Sequence, residues 1–167
     1  MGTGPRWQGR WPLFEQWMRR TKYSTPDSVC SEERFLCLVA SESKRSERSG
    51  HPCRIALVYC TNPQGIVIPL GAEPADKALS LLSRCCRDTD HIGWYRQDYV
   101  VGVLLTTLQR DSVVDGCKTL HARLLDRLGA ALAFTKAHSL QIHVLDPDEL
   151  TRFTLADCSP SSPGPKN

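Results

Sequence analysis

The sequence lacks any unbroken apolar run of about 18 residues, the length that a membrane-spanning helix requires. Its opening stretch, MGTGPRWQGRWPLF, has no long apolar core after its charges, which argues against a secretory signal. We therefore expect a cytoplasmic protein whose eight cysteines stay reduced. Because the cysteines form neither a CxxC pair nor Cys/His spacings typical of zinc sites, we interpret them as small apolar residues of the core.

Common catalytic signatures are missing as well. The chain has no glycine-rich phosphate loop, no GxSxG motif and no HExxH motif, so its five histidines are interpreted as ordinary side chains. A net charge of +3 and a pI of about 8.5 are too mild to indicate nucleic acid as a partner. We expect no metal ion, no cofactor and no nucleic acid.

A regular succession of helices and strands is present instead. Hydrophobic periodicity and turn residues predict each element. The predicted elements are a helix capped by Ser31 that ends before Gly50, a buried strand over 53–60, a short edge strand over 66–70, a helix over 73–87, a hairpin with strands near His91–Tyr95 and Val100–Leu105 around a turn at Arg96, Gln97 and Asp98, a helix over 111–129 and a strand over 139–145.

From the first long strand the order is βαββαβ. This order predicts an α+β domain of ferredoxin-like or palm type, in which helices pack on one face of an antiparallel sheet, with an extra helix on the N-terminal side. We expect the domain to cover residues 30–150, between an irregular segment over 1–29 and a disordered tail over 151–167. The Trp- and Arg-rich segment, with a short helix over 12–20, would either dock on a membrane or partner or fold back over the domain.

Residues 31–146 resemble a GGDEF domain. In that family a helix ends in an RxxD motif and the signature hairpin turn follows five residues later. Here Arg87 and Asp90 supply RxxD, HIGWY supplies the five residues, and RQDYV stands at the signature. The family makes cyclic di-GMP from two GTP molecules, so the resemblance implies a palm-like sheet with two metal ions held by carboxylates from the first strand and the turn.

Several residues depart from the family pattern. The first strand ends without an acidic residue, and side chains replace the two glycines whose bare backbone lets substrate approach the turn. The positions concerned are Tyr59 and Cys60 in place of the first-strand Asp, Arg96 and Gln97 in place of the glycines, Asp98 as the one retained signature residue, Tyr99 in place of the metal-binding Glu, and Val100 in place of Phe. The segment TNPQGIVIPLGAEP is too short and too rich in Pro and Gly to be the helix that holds guanine. The departures predict a catalytically inactive domain.

Three functions follow from the resemblance. The first is a regulatory or protein-interaction module of bacterial signalling, with a protein partner and a possible homodimer. The second is a cyclic di-GMP receptor, in which Arg87 would grip phosphate or guanine and Asp90 would accept from guanine nitrogens; the competing interpretation is that both residues only cap a helix end. The third is an active cyclase. Divergent GGDEF-like domains that carry TDxxGW, matched here by Thr89, Asp90, Gly93 and Trp94, add a link to exopolysaccharide synthesis.

Overall fold

The computed structural model describes residues 29–106, 113–132 and 138–153. The side chains of 113–115 and 131 are not described. In chain order the elements are β1 (Val29–Cys30), α1 (Glu32–Ser49), β2 (Arg54–Thr61), β3 (Val67–Ile68), α2 (Ala72–Cys85), β4 (His91–Arg96), β5 (Val100–Leu105), α3 (Val113–Ala131), β6 (Ser139–Leu145) and α4 (Pro147–Arg152). None of these helices is long and apolar enough to cross a bilayer.

The sheet confirms the predicted fold class. Its four long strands lie in the order β6-β2-β5-β4, and each neighbouring pair is antiparallel. The central strand β2 pairs with β5 along one edge and with β6 along the other, so that Ile55 faces Leu104 on one side and Leu145 on the other. The predicted edge strand is present as β3, which pairs with the last two residues of β2. An additional strand, β1, pairs with β4 in parallel.

The helices cover both faces of the sheet, whereas we expected them on one. Two crossover helices, α2 and α3, pack on the face that includes Val58. The other face, which includes Leu57, is covered by α1 and by α4. The reason lies in β2, where seven of eight residues are buried. An unbroken apolar strand has side chains on both faces, and each face needs a cover.

The predicted helix ends were correct for α1 and wrong for the next two helices. The Ser31 hydroxyl accepts a hydrogen bond from the Arg34 N–H, and Gly50 ends α1 at a φ of 67°. We expected the second helix over 73–87, but α2 ends at Cys85 and leaves Arg87 outside the helix. We also expected Gly129 to stop the third helix, but α3 continues to Ala131. Of its predicted span, 111–112 lie outside the described residues.

The C-terminal boundary differs from the expected one. We expected a disordered tail from 151 onwards, but the short helix α4 runs to Arg152. Asp146 and Glu149 form a reciprocal capping box at its N-terminus, a local device that stabilises even a short helix. Phe153 then packs near Tyr59 and His143. Residues 154–167, and residues 1–28 with the predicted helix over 12–20, lie outside the described part of the chain.

Candidate functional site: the hairpin turn and its cavity

The hairpin turn lies where the sequence places it, between β4 and β5. The Tyr99 N–H donates to the Arg96 carbonyl over 3.1 Å and closes the turn. Asp98 adopts the left-handed region at a φ of 63°, which Asp tolerates better than most residues. The Arg96 guanidinium lies 4.8 Å from the centre of the Tyr99 ring. At this turn Arg96 is exposed, whereas Gln97 and Asp98 are half-buried.

The two central residues of the turn are tied to different parts of the chain. The Gln97 N–H donates to Glu32 Oε2 at the start of α1 over 2.7 Å. On the other side, the Leu70 N–H donates to the Asp98 carbonyl over 2.9 Å. Burial, and then the negative charge of Glu32, raise the pKa of the neighbouring Tyr95 phenol. The turn is therefore fixed by the protein's own groups.

Next to the turn lies a cavity of about 380 Å³. One wall is the junction from β1 to α1, and the opposite wall is the beginning of α2, whose N-cap residue Gly71 makes no side-chain cap. Within the described residues, the lining has two carboxylates and no basic side chain. It consists of Val29, Cys30, Ser31, Pro69, Gly71, Ala72, Ala75, Asp76, Leu79, Trp94, Gln97 and Asp98.

The end of β2, where the resemblance implies a metal-binding Asp, holds no such ligand. Tyr59 is buried and its ring stacks on His143 at 5.7 Å between centroids. Burial raises the pKa of the Cys60 thiol to about 11, which disfavours the thiolate that a metal would need. Among residues 29–106, 113–132 and 138–153, no group of three or more His, Cys, Asp or Glu side chains is placed to hold a metal ion. This donor set does not fit two metal ions held by carboxylates.

The RxxD motif lies in a turn after α2, whereas we expected that helix to run to Arg87. Both oxygens of the Asp90 carboxylate accept from backbone amides, from Arg87 at 3.0 Å and from Thr106 at 3.4 Å. The Asp90 N–H donates to the Arg87 carbonyl, and the Thr106 hydroxyl donates to the Thr89 carbonyl. Asp90 thus fixes the connection from α2 to the end of β5. Whether Arg87 and Asp90 bind a ligand stays a prediction.

Sequence reasoning missed Glu32 and Asp76. Glu32 reaches a residue 65 positions away, and no local pattern signals such a contact. Asp76 lies on the exposed side of α2, where the sequence alone indicates an ordinary solvated side chain. It becomes notable only because the fold brings the start of α2 beside the hairpin turn. Trp94, identified through the TDxxGW motif, is buried at the cavity, and its Nε1 has no hydrogen-bond partner among the described residues.

Comparison with known proteins shows similarity in structure alone. No protein-family model matches this chain, and no curated protein matches it either. Solved structures do match it, and GGDEF diguanylate cyclases or their domains are among them. The diguanylate cyclase SiaD of Pseudomonas aeruginosa, in complex with its activator SiaC, aligns with a TM-score of 0.51 and 12% identity over 87% of this chain.

Two further solved structures, both of GGDEF domains, align with this chain to a similar extent. The GGDEF domain of YfiN from Pseudomonas aeruginosa aligns with a TM-score of 0.50 and 14% identity, covering 75% of this chain and 84% of that domain. The GGDEF domain of DgcB from Caulobacter crescentus, in complex with c-di-GMP, gives a TM-score of 0.50 and 9% identity, covering 74% and 77%. The present chain spans 61% of the SiaD chain. At these identities the likeness establishes a shared fold, the mixed α+β sheet of the GGDEF domains.

Proposed function

We propose that this chain is a GGDEF-type domain that has lost cyclase activity and works as a regulatory or protein-interaction module in cyclic di-GMP signalling. The observation that carries the proposal is the composition of the remnant site. The strand end presents Tyr59 and Cys60, and the turn presents Asp98 as its one carboxylate.

The chemistry explains why this composition matters. Phosphoryl transfer depends on positioning and on neutralising the charge of the phosphates, which the metal ions of a cyclase provide. Loss of one preorganised stabilising group typically lowers the rate of an enzyme by about 10²–10³. Here several groups are lost together, and within the part of the chain that the structure describes no group of three or more His, Cys, Asp or Glu side chains is placed to hold a metal ion. The effects of several such losses on the rate are not simply additive. Non-additivity does not, however, supply ligands for a missing metal ion.

The turn backbone supports the same proposal. In the family the bare glycines let substrate lie against this turn. Here the Gln97 amide is satisfied by the Glu32 carboxylate at 2.7 Å, so a phosphate oxygen would have to displace an internal anion. The side chains of Arg96 and Gln97 add bulk where glycine has none.

A GGDEF-type domain without cyclase activity would act by binding another protein. The SiaD cyclase, whose fold this chain shares, is solved in complex with an activator protein. We propose a protein partner in the cytoplasm or a second copy of this chain, and the TDxxGW match favours a pathway of exopolysaccharide production. Light scattering of the purified chain over a range of concentrations tests the homodimer.

Incubation with GTP and either Mg²⁺ or Mn²⁺, with chromatographic detection of nucleotides, tests the loss of activity. We expect no cyclic di-GMP, while an active GGDEF cyclase run in parallel makes it. Formation of cyclic di-GMP by the wild-type chain, abolished by Asp98→Ala, would overturn the proposal.

Binding of cyclic di-GMP through Arg87 and Asp90 is the second candidate function. The observation in its favour is that Arg87 is exposed on a turn whose backbone Asp90 holds in place, which preorganises the position of the guanidinium. The DgcB domain, which shares the fold, is solved in complex with c-di-GMP.

A further inference from the structure

The strand β6 forms one outer edge of the sheet. Among the described residues it pairs with β2 alone, over all seven of its residues and without a shift in register. An open edge presents backbone groups that another strand can use, and proteins usually protect it with charged side chains, proline or a bulge. The sequence of β6, SLQIHVL, contains no charged residue and no proline. The usual protections of an edge strand are therefore missing from β6.

The hydrogen-bonding direction along β2 can be fixed from the start of the neighbouring turn. At Cys60, β2 pairs with β3 on one edge and with β6 on the other. The next even-numbered residue, Asn62, donates its N–H to the Ile66 carbonyl on the β3 edge. Because successive residues of a strand direct their backbone groups to alternate edges, the even-numbered residues of β2 bond away from β6 and the odd-numbered ones bond toward it.

Three residues of β6 therefore direct their N–H and C=O groups outward, away from β2. They lie opposite even-numbered residues of β2 and are Leu140, Ile142 and Val144. The Ile142 carbonyl agrees with this direction, because His121 Nε2 of α3 donates to it over 3.0 Å at the outer edge. Among the described residues this is the one hydrogen bond that the outward groups make. The other outward groups are available to a second strand.

The flank of α3 beside this edge carries an apolar side chain. Arg127 reaches Cys85 of α2, whereas His121 reaches β6, so these two residues mark opposite flanks of α3. Leu125 follows His121 by one helical turn and lies on the β6 flank. Its side chain is 43% exposed, and it is the one exposed large hydrophobic residue in the described part of the chain. The open edge thus has an apolar border.

We propose that two copies of this chain associate through β6, each adding its strand antiparallel to the other so that one continuous sheet is formed. The strand is complementary to itself, which makes a second copy its fitting occupant. A two-fold axis at Ile142 pairs all of residues 139–145 with their counterparts and sets the outward groups of Leu140 opposite those of Val144. Because the strand has no charged residue, no like charges meet.

The hydrogen bond from His121 is compatible with this pairing, because a carbonyl oxygen has two lone pairs and Ile142 can accept from the second copy as well. On the α3 side of the sheet, the half-buried side chains of Leu140 and Val144 would cover each other across the axis. The pairing gives a surface to the homodimer of the proposed function and rests on that function only for the second copy as partner.

Amide hydrogen exchange, followed residue by residue by NMR at several protein concentrations, tests this surface. We expect the outward N–H groups of Leu140, Ile142 and Val144 to exchange at least about tenfold more slowly where light scattering shows a dimer than in dilute solution. The N–H groups of Gln141 and His143 bond to β2 and are the internal reference, because they should be protected at every concentration.

Val144→Pro removes an outward N–H from each copy and leaves the hydrogen bonds between β6 and β2 in place. Val144→Thr is the matched control, since it keeps the N–H and the branched shape. We expect Val144→Pro to raise the dissociation constant of the dimer at least about tenfold and Val144→Thr to stay within about threefold of wild type.

If circular dichroism shows that Val144→Pro does not fold, the decision passes to Leu125→Glu, which places a charge on the border of the edge. Its control is Thr119→Glu, an exposed position on a different face of α3. Leu125→Glu should weaken the dimer at least about tenfold relative to Thr119→Glu. Equal dissociation constants for the two variants overturn the proposal.

Three results of the exchange measurement overturn the proposal. The first is a dimer in which the outward amides exchange as fast as in dilute solution, which assigns the homodimer to another surface. The second is protection that does not change with concentration, because the chain's own residues would then cover the edge. The third is a monomer at every concentration. Since no nucleotide is present, none of these results bears on the loss of cyclase activity, which the GTP assay tests separately.

Discussion

Replacing Gly102 by alanine should destabilise the domain, because the ring of Phe35 fills the space above that residue. Gly102 pairs with Gly93 across β4 and β5, and the fully buried Phe35 lies on this glycine pair. A Cβ built on Gly102 would stand 2.5 Å from Phe35 Cζ and closer still to Cε1. Real Cβ atoms keep at least 3.0 Å from their neighbours, so the ring or the strand has to move.

The size of the expected loss in the free energy of unfolding depends on how little the Phe35 ring can move. Phe35 belongs to the core cluster that includes Ile55, Leu57 and Leu104, all fully buried, so its retreat displaces several side chains. Adding a methyl group to a well-packed core costs about 1–3 kcal/mol. With a clash this close and a rigid aromatic neighbour, we expect the upper part of that range, about 2–3 kcal/mol. Such a loss lowers the melting temperature of a domain of this size by about 5–10 °C.

Urea unfolding followed by circular dichroism measures the change in the free energy of unfolding. Gly116→Ala is the matched control, because a Cβ at Gly116 in α3 meets nothing within 4 Å and alanine favours the helix, which predicts a gain of up to about 1 kcal/mol. In a Phe35→Leu background the smaller side chain leaves room, so Gly102→Ala should cost at least about 1 kcal/mol less. A loss below about 0.5 kcal/mol, or the same loss in both backgrounds, would refute the packing argument.

Three further outcomes are expected. Burial, and then the charge of His121, lower the pKa of His143 in the folded protein. The contribution of neutral His143 to the free energy of unfolding is therefore fully present above the unfolded pKa of about 6.5 and is lost as the pH falls through the lower folded pKa. The same loss at acid pH in a series of unfolding measurements on His143→Phe would contradict this. Asp90→Ala should lower the free energy of unfolding by about 1–2 kcal/mol, because two backbone amides lose their acceptor; an unchanged urea midpoint would exclude that role. In calorimetry with cyclic di-GMP, Arg87→Ala should weaken any binding by roughly 1.5–3 kcal/mol and Arg96→Ala far less; equal binding by Arg87→Ala, or no heat from wild type, leaves the motif a structural one.

Local patterns predicted the elements whose stability is decided by nearby residues. The hairpin follows from apolar stretches around a polar turn, and β2 follows from its apolar run. The end of α2 could not be predicted from local patterns, because the periodic apolar stripe continues in the sequence. The Arg87 N–H donates to the Asp90 carboxylate and so belongs to a separate turn. The capping box of α4 was readable as DPDE at 146–149, but six residues are too few for a periodicity to appear.

Predictions about the hairpin-turn site depended on the same distinction. The residues of the turn and the lack of an acidic residue at the end of β2 are visible in the sequence, because each is a matter of which residue occupies one position. The hydrogen bond from Gln97 to Glu32 joins positions 65 apart and exists only once α1 has packed on the sheet. The role of Asp90 was left open between ligand binding and capping; the structure adds backbone partners for both of its carboxylate oxygens.

These contacts bear on what the turn is suited to do. A turn that receives an anionic substrate has to keep a backbone amide available, and a half-buried amide without a partner costs free energy until the substrate arrives. In this chain that cost is removed, because Glu32 satisfies the Gln97 amide and Leu70 satisfies the Asp98 carbonyl. The Gln97 side chain is used internally too, since its Nε2 donates to Asp98 Oδ1 over 3.1 Å. The same groups tie the turn to α1 and to the segment just before α2.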